Sequence, residues 1–146
     1  TLARKATTGE MSGTDMQSER MEGTMGKPIL CLDFDGVIHS YASGWKGAAV
    51  IPDDPVPGAA EFIGDALQSF DVQVYSSRSG QAGGINAMQV WMVERLGLDA
   101  TTVLEDIGWP DEKPAAIVTI DDRALTFDGT WPAIQTIKEF KPWNKR

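Results

Sequence analysis

Leu30-Cys31-Leu32-Asp33-Phe34-Asp35-Gly36-Val37 constrains this chain more than any other stretch: an unbroken apolar run ends in two carboxylates one residue apart and a glycine. An apolar run without alternation marks a strand buried on both faces, the kind found in parallel sheets covered by helices. In such sheets ligands bind outside the carboxyl ends of the strands. Asp33 and Asp35 therefore stand at the rim where this architecture carries its chemistry.

The rest of the chain supplies the partners for that strand. Ser40 to Pro57 is rich in Gly and Pro and reads as a loop. Ala59, Phe62, Ile63, Ala66, Leu67 and Phe70 then fall on one stripe of a helix beginning near Pro57. Val72 to Tyr75 reads as a second strand, and Ile85, Met88, Met92 and Leu96 mark a second helix ending at Gly97. Val103 and Leu104 suit a brief third strand, and Ala116 to Ile120 is another β-rich apolar run, itself ending in Asp121-Asp122. Ala133 to Phe140 has near-helical spacing and a basic end. Alternating strands and helices predict an α/β fold, a Rossmann-like three-layer sandwich with a mainly parallel central sheet and right-handed crossovers.

With 146 residues, 42% of them hydrophobic, the chain suits one compact domain. Residues 1–26 carry almost no Ile, Val or Phe and are expected to be a mobile arm or an expression remnant, leaving 27–146 as the domain. A formal charge of -8 argues against nucleic-acid or anionic membrane partners, although a local basic groove stays compatible with it. Cys31 has no second cysteine to pair with, so neither an internal disulfide nor a Cys-based zinc site is open to it. No apolar run is long enough to span a bilayer, and a soluble, reducing, cytoplasmic setting is the simplest reading.

Three of the expected strands end in polar residues: Asp33 and Asp35, then Ser76, Ser77 and Arg78, then Asp121 and Asp122. Carboxylates gathered on one rim repel, each pair at about 4 Å costing on the order of 4 kcal/mol at an effective dielectric near 20. A hard divalent cation with oxygen ligands relieves that repulsion, and Mg²⁺ typically combines one or two carboxylates with waters and a substrate phosphate. Phosphoryl transfer in turn depends mostly on positioning and charge neutralisation.

Asp33-Phe34-Asp35-Gly36-Val37 resembles the first motif of the haloacid dehalogenase (HAD) superfamily, mostly Mg²⁺-dependent phosphohydrolases. The resemblance runs from about Pro28 to Ala124, with Ser76, Lys113 and Asp121-Asp122 following in the family's order. It implies that Asp33 is the nucleophile forming an aspartyl-phosphate and Asp35 the general acid and base, with its backbone carbonyl on the metal. It implies further that Ser76 (or Ser77) and Lys113 hold the phosphate, and that Asp121 and Asp122 bind Mg²⁺ directly or through water. An acid at Asp35 favours phosphate esters over halides, since halide leaves without a proton. About 40 residues separate the first motif from the second and the second from the third, too few for a large cap, so an open site and a bulky phosphorylated substrate are expected. "VYSSRS" and "IDDRAL" are similar to the phosphatase part of polynucleotide kinase-phosphatases, which would make Arg78 and Arg123 phosphate contacts, with structural pairing to nearby acids the alternative for both, and a nucleic-acid 3′-phosphatase the narrower alternative function. A non-catalytic metal-binding interaction module is the rival from another class. His39 and the five tryptophans are expected in structural or packing roles.

Overall fold

The computed structural model describes residues 26–146; the arm expected over residues 1–26 lies outside them, apart from Gly26. Three parallel strands form one sheet in the order β2-β1-β3. They are β1 (Ile29–Leu32), β2 (Asp71–Val74) and β3 (Val118–Ile120). The helices are α1 (Ala59–Ala66), α2 (Gly84–Glu94) and α3 (Ile134–Lys138). A π-helical turn covers Thr102–Asp106 and a 3₁₀ turn covers Trp143–Lys145.

β1 is the middle strand, and its register explains its composition. Leu30 lies beside Val72 and Val118, and Leu32 beside Val74 and Ile120, so these side chains share one face. Cys31, on the other face between Gln73 and Thr119, is buried too, as the unalternated apolar run requires. The main core gathers Leu30, Leu32, Val72 and Val74 with Ile63 and Ala66 of α1 and Met88, Trp91 and Met92 of α2. Each such side chain taken from water is worth roughly 1.5–3 kcal/mol.

Two expectations are corrected. Val103 and Leu104 do not form a strand: Val103 is drawn into the core while Leu104 faces solvent, and the chain coils instead. The contact with the free edge of β2 falls to Gly108, which exchanges 2.9 Å hydrogen bonds with Val72 and Val74. Phe62, expected on the buried stripe of α1, is 46% exposed, because only Ile63 and Ala66 of that helix are fully covered. β3 lies at the edge of the sheet with its three residues exposed. Among the described residues no helix is long and apolar enough to cross a membrane.

Candidate metal centre

The Asp33 amide donates to the Ile120 carbonyl at 3.0 Å, so β1 and β3 stay paired up to the point where their acids begin. Phe34 then turns fully inward, stacked on His39 at 5.7 Å and edge-on to Trp91 at 5.2 Å. Its carbonyl accepts the amides of Val37, Ile38 and His39 at 3.2, 2.9 and 3.0 Å, which curls the chain tightly after the motif. This core anchor between the two acids is what parts them: Asp33 and Asp35 face different surroundings.

Asp33, Asp121 and Asp122 each bring one carboxyl oxygen into a group whose members all lie within 4.8 Å of one another. The Asp122 side chain is only 2% exposed, and among the described residues neither of its oxygens has a hydrogen-bond partner. Arg123 Nε stands 3.9 Å from Asp122 Oδ2, within reach of an ion pair but beyond hydrogen bonding. Gly36 makes this approach possible. Its φ of +84° suits glycine, and a β-carbon there would fall on the Asp122 carboxyl group. Trp143 donates to the Gly36 carbonyl at 2.7 Å and thereby ties the C-terminal turn to the same loop.

Burial, and then the charge of Asp121, push the Asp33 carboxyl up to about 8; Asp122 adds to this, and the 2.8 Å bond from the Phe34 amide only partly opposes it. Asp121 is exposed, so the cost of a buried carboxylate without a donor falls on Asp122. Its donors are all hard oxygens, and a cleft of about 240 Å³ bordered by Gly36, Val56, Ile120, Asp121, Asp122 and Trp143 opens beside it. That set fits a hard divalent cation keeping part of its water shell.

Asp35 is outside this group. Its carboxylate takes Arg78 Nε at 2.9 Å and Arg78 Nη2 at 3.0 Å, and its Oδ1 meets His39 Nδ1 at 2.9 Å. His39 Nε2 accepts the Asp53 amide at 3.1 Å, which assigns the ring proton to Nδ1, facing Asp35. Arg78 is fully buried, and its Nη1 donates to the carbonyls of Gly47, Ala48 and Val50. Of the two roles open to Arg78, phosphate contact and pairing with a nearby acid, the guanidinium is engaged in the second, with Asp35.

Ser76 is buried at the end of β2, with its hydroxyl accepting the Arg78 amide at 3.1 Å, whereas Ser77 is exposed. Lys113 is exposed on the segment before β3, and no ion pair links it to the three carboxylates. Its charge still reaches their neighbourhood: burial pushes the Cys31 thiol up, Asp33 and Asp121 add to that, and Lys113 acts the other way. Arg123 is mostly exposed, near Asp122.

His39 and Trp143, expected in structural or packing roles, border the two acids, and Gly84, where a β-carbon would collide with the Arg78 carbonyl, is marked in the sequence only by the Gly83-Gly84 pair at the start of α2. Compared with family models, with curated proteins and with solved structures, the chain matches none.

Proposed function

We propose that this chain is a Mg²⁺-dependent phosphohydrolase of the HAD superfamily on a Rossmann-like three-layer fold, acting on a phosphomonoester through an aspartyl-phosphate at Asp33. The observation that carries the reading is the convergence of Asp33, Asp121 and the buried Asp122 carboxylate, which accepts no hydrogen bond from the described residues, from two adjacent strand ends. Asp33, Asp121 and Asp122 would hold the ion, together with the Asp35 backbone carbonyl. When bound, Mg²⁺ would neutralise the carboxylates and the phosphate oxygens.

An Asp33 carboxyl oxygen forms a bond to phosphorus as the ester oxygen departs, and that oxygen takes a proton from Asp35, which in this reading has to be protonated when substrate binds rather than the ionised partner of Arg78. Water then attacks phosphorus in the aspartyl-phosphate and gives a proton to Asp35, and inorganic phosphate leaves with Asp33 restored. Ser76, with Ser77 as the neighbouring alternative, and Lys113 hold the phosphate oxygens. Phosphate release from an aryl phosphate, with and without Mg²⁺, tests the proposal. Activity surviving Asp33→Asn at full rate refutes the nucleophile.

The second reading, a non-catalytic metal-binding module, draws support from Asp35, whose carboxylate already accepts three side-chain donors. Mg²⁺ binding with no turnover across a broad phosphate panel would establish it. The nucleic-acid 3′-phosphatase alternative loses the support of Arg78 but is still separable by phosphorylated oligonucleotides in the same panel.

A further inference from the structure

We infer that Arg78 is a positioning residue that locks Asp35 to the loop carrying Trp45, so that this loop sets the orientation of the Asp35 carboxylate. The catalytic consequence rests on the phosphatase reading; the lock itself rests on geometry alone.

A single guanidinium makes both halves of the link. On one side Nε and Nη2 form a fork on the two Asp35 oxygens, at 2.9 Å to Oδ2 and 3.0 Å to Oδ1. A planar fork of this kind fixes the rotation of a carboxylate as well as its place. On the other side Nη1 gathers three loop carbonyls: Gly47 at 2.9 Å, Ala48 at 2.8 Å and Val50 at 3.2 Å. Trp45 covers the guanidinium with its ring centroid 4.9 Å away, and Phe34 lies at 5.9 Å on the core side.

Three further features hold Arg78 itself in place. Its amide donates to Ser76 Oγ, its carbonyl accepts the Gln81 amide at 3.1 Å, and Gly84 lets the start of α2 pack on that carbonyl. A buried ion pair serving stability alone needs no such span: replacing such pairs with apolar residues is often neutral. Here one side chain joins β2's end, the first motif and a loop with no strand or helix of its own, 28 to 43 residues away in sequence.

The test compares wild type with Arg78→Lys, using deuterium uptake across residues 44–51 and Mg²⁺-dependent aryl phosphate hydrolysis. Lysine keeps the charge but not the fork. The expected result is faster uptake in 44–51 and kcat lowered about 10- to 100-fold, with KM and the Mg²⁺ concentration at half-saturation changed less than threefold. If Arg78→Lys does not fold, Trp45→Ala takes its place: the ring is half-exposed, and its loss is expected to raise uptake and lower kcat, with Trp45→Phe restoring both. Unchanged uptake overturns the lock. Raised uptake with unchanged kcat overturns the positioning role. A wild-type protein without turnover sinks the phosphatase reading instead, and the lock then stands or falls on uptake alone.

Discussion

Asp33 and Asp35 are one residue apart, yet their surroundings differ in kind. The Asp35 carboxylate is met by Arg78 and His39, which in turn engage loop carbonyls and the Asp53 amide, so every charge there has a partner. Asp33 meets two more carboxylates, and its own carboxyl is pushed up to about 8. Proteins rarely leave buried charge uncompensated, so the contrast separates a region finished by its own residues from one that calls for something added. Phe34, fully buried between the two, keeps them apart.

The largest effect expected from breaking this contrast is on activity. Asp33→Asn should lower Mg²⁺-dependent phosphate release by at least about 10³-fold while leaving the Asp35 side untouched, as steady-state rates with circular dichroism would show. Gly36→Ala comes next. It places a methyl group on the Asp122 carboxyl and forces a left-handed backbone on alanine, at a cost of about 1–2 kcal/mol for the backbone alone. Denaturant melts should show that loss, and the Mg²⁺ response should fall with it.

The pH dependence of the metal-free protein sharpens the same contrast. A carboxyl whose folded value is raised from 3.8 to about 8 contributes stability that is complete below 3.8 and is lost as the pH climbs through about 8. Thermal melts without divalent cations should therefore fall from pH 5 to pH 8.5, and Asp33→Asn should flatten that fall. Smallest is Ser77→Ala, at an exposed position and expected within about 0.5 kcal/mol of wild type in stability, against a larger loss for the buried Ser76→Ala.

Much of this was legible in the chain because local pattern and tertiary role agree. The apolar run at 29–32 is a central strand, the stripe with Met88 and Met92 is a helix with that face buried, and the acids after Leu32 and Ile120 meet because those residues are neighbours in register. The failures arose where long-range packing decided. Val103 is β-branched and Leu104 apolar, which suits a short strand, but Val103 is drawn into the core and the backbone coils around it. Arg78 reads as a cation for phosphate or for a nearby acid; only the fold reveals which acid it meets and that a loop some thirty residues earlier encloses it. His39 follows Asp35 by four residues, a spacing that carries meaning only once the turn at Phe34 closes.

The most direct test of the central claim is a Mg²⁺ titration of wild type and Asp122→Asn, followed by the melting temperature at pH 7.5. Binding to the folded state alone raises the midpoint by mass action. A saturable rise in wild type that Asp122→Asn abolishes is the predicted result. An equal rise in both proteins, or none in either, would contradict a metal held by Asp33, Asp121 and Asp122.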